Sequence, residues 1–530
     1  MKKIKLIILA GAALLTFNAC NKLELAPEDY FGSGSFWKTK AQVDGAMIGL
    51  HSQLRGAQFT FYNLGELRGG SLKDGTGGTG TSSLNSASVI RQLLTEASPG
   101  ISGWGGLYGN IFQVNNFIYQ VEQASFLSPA EKGYNLGQAY GVRAFYYFHL
   151  YRTFGRVPIV KDPKVINTPP STVQDAYNPR AATEKEVLDF IKDDISKSET
   201  GFNSDFTTKA TKSQWSLGAT LMLKTEVYLW TAKVNTDGAA PANMAADLAT
   251  ARTAVEAVIP RFAMLSSFNN VFRYNNKGNS EIIFALRYMA GEATNNFSQF
   301  IYQASDPMGS FVNATGGSLV PNSFQPDATK TGDPMNVAGG GAIIRYEYKY
   351  DLFAQYEADD TRAKVTFFDY YKAPITPATS FVMLGKYIGT IVEGARNFSD
   401  DVPVYRSAEA YLLLAEIKNK QGENPEAEIE AVRQRAYGAS PFPDFVNGTF
   451  EENELAIFLE RSKELVAESK RWYDLRRMQS ANGDPLAYRI DLPMVGVIDK
   501  TTDAHKLLWP IDRGTLTSDE TLMGDQNPGY

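Results

Sequence analysis

"ERSKELVAESKRWYDLRR", residues 460–477, is the stretch on which the fold turns. Its periodicity predicts a helix over about 453–470. Leu465 and Val466 face a core. Glu464 and Glu468 stand one helical turn apart, within reach of Arg461 or Arg471. Trp472 plugs the helix end, and Arg476 and Arg477 are placed to bind carboxylates or exposed carbonyls. These residues read as holding a fold together rather than touching a ligand.

Working outward, helical texture recurs at about 406–421 and 425–437, and earlier at about 182–197, 213–233 and 245–258. Val43, Met47, Leu50 and Leu54 form one apolar stripe beginning near Thr39. Leu107, Ile111, Val114 and Ile118 form another after Trp104. Ser128-Pro129-Ala130-Glu131 is a capping box with proline at the first helical position. The helix it starts carries Gly137, Gly141 and Ala144, a stripe of small residues that lets another helix approach closely. It ends at Gly155, with Pro158 just beyond. Antiparallel pairs of this kind predict a mostly α fold of tetratricopeptide-like helix pairs, although no clean repeat period is present. Residues 65–103, rich in Gly, Ser and Thr, read as a long loop. Between about 260 and 400, strand-like pieces such as "EIIFALRY" (281–288) and "IIRYEYKY" (343–350) sit among turn residues. This region reads as an irregular, loop-rich lobe inserted between helix pairs.

The N-terminus carries its own signal. Lys2, Lys3 and Lys5 precede an apolar run, Ile4 and Leu6 to Leu15, that is too short to span a bilayer. Ala19 then leads into Cys20, the only cysteine of the 530 residues. This arrangement resembles the lipobox of bacterial lipoprotein signal peptides, with Phe17 in the leucine-like position and Asn18 in a small one. Residues 1–19 are read as a lipoprotein signal peptide and Cys20 as the lipid attachment site. A lone thiol has no disulfide to make. Stability must come from packing, in a chain holding 27 Tyr and 31 Phe but 6 Trp. The formal charge of -6 becomes -9 once the three lysines of residues 1–19 are removed, which argues against nucleic-acid binding.

Catalytic and cofactor chemistry finds little support. "GTGGTG", residues 75–80, matches GxGxxG, but no apolar strand precedes it and no clear helix follows. It reads as a flexible loop. His51, His149 and His505 are scattered, which argues against a zinc-type site, and His149 reads as a core residue of an aromatic helix. No P-loop or GxSxG elbow is present. Paired carboxylates of the glycosidase type need no proximity in sequence, so a secreted glycan-degrading enzyme stays as a remote alternative. The chain is expected to be no enzyme and to need no cofactor or metal.

Several stretches together resemble the SusD/RagB family of Bacteroidetes outer-membrane lipoproteins. They are "RAFYYFHLYRTFGRVPIV" (143–160), "NSEIIFALRY" (279–288), "DDTR" (359–362), "YRSAEAYLLLAEIKNKQG" (405–422), the stretch at 460–477, "LLWPID" (507–512) and "QNPGY" (526–530). They occur in family order, and "RWYDLRR" followed by the terminal "NPGY" is the most specific combination. The resemblance implies a SusD-like N-terminal region over 20–235 and a RagB/SusD C-terminal region over 236–530. It also implies four helix pairs carrying the irregular ligand-binding lobe. The implied role is a cell-surface lid that captures oligosaccharide, or in some members peptide, without catalysis. The lid delivers its cargo to a SusC-like TonB-dependent transporter, and Cys20 tethers it to the outer membrane.

In that family ligand contacts come from loops after the first helix and from the irregular lobe. The tryptophans, Trp37, Trp104, Trp215, Trp230, Trp472 and Trp509, fall on helices or family motifs. Trp104 ends the Gly-rich loop, but its helical stripe gives it a core explanation. A stacking platform is therefore expected from Tyr62, Tyr274, Tyr288, Phe300, Tyr302 and Tyr346, with polar contacts from Arg68 and Asp74. The shortage of loop tryptophan keeps peptide binding as the alternative to glycan.

Overall fold

The computed structural model describes residues 36–75, 87–101, 103–163, 177–301, 311–316, 344–393 and 395–530. The signal segment, Cys20 and Tyr302 lie outside the described residues.

Thr39 caps the first helix, α1 (Lys40–Gly56), through a reciprocal bond with Gln42, and buries the stripe of Val43, Met47, Leu50 and Leu54. A single residue separates it from α2 (Gln58–Glu66). After the Gly-rich stretch come α3 (Gly105–Gln123) and α4 (Pro129–Phe154), the latter with the expected Ser128–Glu131 capping box. Then follow α5 (Glu184–Phe202), α6 (Leu217–Lys233) and α7 (Met244–Val258). Each helix from α4 to α7 packs on its predecessor, and α1 packs on α3. Small residues set the crossing of α4 and α5: a Cβ on Gly201 would stand 2.5 Å from the Gly133 carbonyl oxygen.

The chain then leaves the helical stack. Strand β1 (Ile282–Leu286) is followed by β2 (Phe367–Tyr371), β3 (Ser380–Leu384), β4 (Thr390–Val392), β5 (Ala395–Asn397) and β6 (Val402–Arg406). They pair antiparallel as three two-stranded sheets, β1 with β6, β2 with β3 and β4 with β5. "EIIFALRY" is a strand as expected. "IIRYEYKY" is not: Tyr348 makes isolated bridges to Leu72 and to Val382, which belong to different segments, so no ladder extends. The pairing of β1 with β6 returns the chain to the stack. There α8 (Ser407–Gln421) packs against α7 as though nothing had been inserted, followed by α9 (Glu426–Tyr437) and α10 (Phe450–Glu464).

The stretch at 460–477 departs from its expected course. Its helix stops at Glu464, and α11 (Arg471–Arg477) starts afresh. Between them Ala467 and Ser469 adopt positive φ of 62° and 64°. Cations from distant segments take the last helical carbonyls. Lys386 Nζ donates to the oxygens of Glu464 (3.1 Å) and Val466 (2.9 Å), and Arg406 Nη2 donates to Glu464 (2.8 Å). Glu464 and Glu468 therefore do not pair with Arg461 or Arg471. Both reach Arg406, Glu464 also reaches Arg362 and Arg435, and Glu468 also reaches Lys386. Glu281 joins through Arg406 (2.9 Å) and Arg435 (3.1 Å), and Asp360 through Arg362 (2.7 Å). Motifs scattered over nearly 200 residues of chain thus converge on one buried ionic network.

The other expectations for this stretch hold in the structure. Leu465, Val466 and Trp472 are buried. Arg477 grips the Glu416 carboxylate at 2.9 and 2.8 Å, and Arg476 donates to the carbonyl oxygen of Arg152. His149 is a core residue whose Nδ1 stands 3.2 Å from the Tyr473 hydroxyl.

Candidate functional site

Most of the nominated platform is folded inward. Tyr62 and Phe300 are 0% exposed, and Tyr288 is 4% exposed. Tyr62 shares a hydrogen bond with Tyr348 at 3.0 Å, and burial pushes its phenol well above the ordinary value. Phe300 meets Tyr62 edge-on at 5.3 Å and lies at 5.1 Å and 21° to Tyr346. These three rings are brought together, but as core packing. Tyr288 donates to the Arg55 carbonyl at 3.4 Å, away from them. Tyr274 is half-buried, with the Lys277 ammonium 4.1 Å from its ring centroid.

The polar nominees also have structural employment. Arg68 is wholly buried, its guanidinium 4.2 Å from the Trp472 ring and 5.2 Å from Trp509. It donates to Gln92 Oε1 at 2.7 Å and to the Leu508 carbonyl at 3.3 Å, and burial lowers its pKa to about 9. Asp74 is exposed and paired with Arg91. Neither Arg68 nor Tyr62, Tyr288 or Phe300 presents a surface to ligand, because each satisfies its polar or apolar needs within the protein.

Of the nominated residues, Tyr346 borders a cleft. The cleft has a volume of about 640 Å³, within the size range of small-ligand sites. One wall is the face of α1 and α2 that carries Gln53, Gly56, Thr60, Asn63 and Leu67, which recur at three and four residues. The opposite wall is the start of α3, with Gly103, Trp104, Gly106, Leu107 and Asn110. Gly100 and Ile101 form a rim, and Phe154 and Tyr346 close the rest. Trp104, read from sequence as core, is 7% exposed and meets Phe154 edge-on at 5.3 Å, so it both packs and walls the cleft. Gly56 and Gly106 keep the floor open, since a Cβ on either would find nothing within 4 Å.

The lining residues are uncharged amides, a hydroxyl, aromatics and aliphatics. Gln53 Oε1 and Asn63 Oδ1 are buried at the wall and accept no hydrogen bond from the protein. An unmet buried acceptor costs on the order of 1–3 kcal/mol, and a ligand donor offsets that cost once the side chain turns its oxygen into the cleft. Sequence reasoning passed over both residues. The available signal was polar side chains continuing at helical spacing beside the apolar stripe of α1.

The flank of α2 that carries Glu66 is different. Glu66 is buried there and accepts from Ser469 N at 3.1 Å. Burial pushes its carboxyl up to about 8, with Arg471 offsetting part of the effect. Among the described residues, no group of His, Cys, Asp and Glu is arranged to hold a metal ion. No helix among them is long and apolar enough to cross a membrane.

A family model described as "SusD family" matches residues 374–530, and one described as "Starch-binding associating with outer membrane" matches residues 71–229. A solved SusD superfamily protein from Bacteroides fragilis NCTC 9343 is 36% identical, with a TM-score of 0.82 over 93% of this chain and 100% of that one. The chain belongs to the SusD/RagB family. B. fragilis NanU has the same SusD-type fold at 32% identity and a TM-score of 0.78, over 95% of this chain and 99% of that one. A SusD-like protein of Formosa agariphila is 26% identical over 533 residues, covering 96% of this chain and 97% of the relative. The SusD match at 374–530 spans much of the buried network, and the match at 71–229 includes the α3 wall of the cleft.

Proposed function

We propose that this SusD-family protein is a cell-surface binding lipoprotein that captures oligosaccharide in the cleft between α2 and α3. It delivers that cargo to a SusC-like TonB-dependent transporter and acts without catalysis. The observation that carries the reading is the pair of unpaired acceptors, Gln53 Oε1 and Asn63 Oδ1, set beside aromatic and aliphatic walls. Sugars offer hydroxyl donors around an apolar CH face, and this lining is complementary to both. The family description "Starch-binding associating with outer membrane" supports a glycan cargo and the location. Cys20, after its apolar run, is the proposed lipid anchor. Two or three acyl chains on one residue hold firmly, where one alone is marginal.

Calorimetric titration of the mature protein against oligosaccharides and peptides tests the cargo. Gln53→Ala and Asn63→Ala should each weaken glycan binding about twofold to tenfold, the worth of one neutral hydrogen bond. Gly106→Phe should block the cleft and abolish binding with the fold intact. Peptide binding, or glycan binding untouched by all three variants, overturns the reading. Cys20→Ser should move the protein from the outer-membrane fraction to the soluble one, and a tagged wild type should co-purify a TonB-dependent barrel.

A further inference from the structure

A second hollow of about 450 Å³ adjoins the proposed site. One wall holds Ser88, Glu96 and Ser98, and the other holds Asp512 and Arg513 from the C-terminal region. Gly100 and Ile101 line both hollows, so the two meet at a shared saddle. The saddle is held down on the core. Gly100 has φ +79°, and a Cβ there would lie 2.0 Å from the buried Val89.

The second hollow is also built rather than incidental. Arg513 Nε donates to Glu96 Oε1 at 2.8 Å, and Arg513 N donates to the Glu96 carbonyl at 3.2 Å, pinning the two walls together. Gly103 fits so closely against Asp512 that a Cβ would overlap its carboxylate at 2.0 Å. The lining differs from that of the first cleft. It is more open and offers hydroxyls, two carboxylates and a guanidinium that is 65% exposed. Such a surface suits the hydroxyl groups of a sugar rather than a buried aromatic contact.

We infer that the ligand is a linear neutral oligosaccharide whose chain runs from the Gln53–Asn63 cleft across the Gly100–Ile101 saddle to the Glu96–Arg513 hollow. The inference rests on the glycan reading of the first cleft and adds a second subsite to it. Affinity therefore depends on chain length as well as on sugar identity.

The test is calorimetric titration with length series of neutral α- and β-linked glucans, from disaccharide to long oligomer, on the mature protein. Affinity should rise at least tenfold once the chain is long enough to cross the saddle. Arg513→Ala should remove that rise and leave disaccharide affinity unchanged. Ser98→Phe, which fills the hollow without breaking the ion pair, should do the same. Asn63→Ala should weaken every length. Thermal melts confirm that each variant is folded. A flat length profile, with Arg513→Ala and Ser98→Phe silent while Asn63→Ala still weakens binding, overturns the second subsite and leaves the first standing. Binding that ignores Asn63→Ala, or no binding in any series, overturns both.

Discussion

Glu66 shows how one residue couples pH to the helix that walls the cleft. Its carboxyl titrates near 4.5 when unfolded and about 8 when folded. Between those values the native state keeps a proton that the unfolded chain has lost. Stability from this residue is thus fully present below about 4.5 and declines as pH rises through 8. Glu66→Gln mimics the protonated form. It should raise the melting temperature, with a gain that grows with pH to the order of a few kcal/mol at mildly alkaline pH. Melts of both proteins at acid and alkaline pH measure this; a gain that shrinks with pH contradicts the assignment. Trp472 sits at the other extreme, 0% exposed beneath the Arg68 guanidinium. Trp472→Ala should cost about 3–5 kcal/mol by opening a cavity. Glycan affinity should persist at temperatures where the variant stays folded.

At the scale of elements, glycines of opposite kinds predict opposite outcomes. Gly201 lies where α5 crosses α4, and a Cβ would press on the Gly133 oxygen at 2.5 Å and on the Gly137 backbone at 2.8 Å. Gly201→Ala should destabilise by about 1–3 kcal/mol, because backbone must move. Gly49, on the exposed side of α1, has nothing within 4 Å of its Cβ position. Gly49→Ala should stabilise by up to about 1 kcal/mol through helix propensity alone. Denaturant melts of the two variants give the signs directly, and equal signs would show that propensity rather than helix approach governs both. The same distinction accounts for what was legible. The stripes of α1 and α3 and the cap of α4 depend on neighbours three or four residues away, so they could be read in advance. The end of α10 depends on Lys386 and Arg406, far along the chain, so it could not.

For the whole molecule, the buried ions decide the acid limit. Burial alone would raise the Glu464 carboxyl, but Arg435, Arg406 and Arg362 outweigh it and hold the group well below the usual range. Glu416 is held down in the same way by Arg477 and Lys233. Folded values below the unfolded ones give stability that is present above about 4.5 and lost as pH falls through the folded values. Melting temperature should therefore drop steadily below about pH 4.5. Arg406→Gln should cost about 3–5 kcal/mol at neutral pH, because it removes the one cation shared by Glu464, Glu468 and Glu281 and leaves three buried carboxylates under-compensated. Its acid slope should be shallower than that of wild type. A variant as stable as wild type at neutral pH would mean that water reaches the network.

The sequence alone determined the helical class, the helix-pair texture, the inserted irregular lobe and the family resemblance. Each rests on local spacing or on motif order, which the chain displays without folding. It also marked the residues at 460–477 as structural, and their burial agrees. What only the tertiary structure decided is which side chains remain available to a ligand. Tyr62, Tyr288, Phe300 and Arg68 have the chemistry of a sugar site, but each finds its partners inside the protein. Gln53 and Asn63 look like ordinary helical polar residues, yet packing leaves their oxygens buried and unpaired at a cleft. Whether a polar atom has a partner depends on contacts across tens to hundreds of residues. Spacing carries no record of such contacts, so that distinction appears only once the chain is folded.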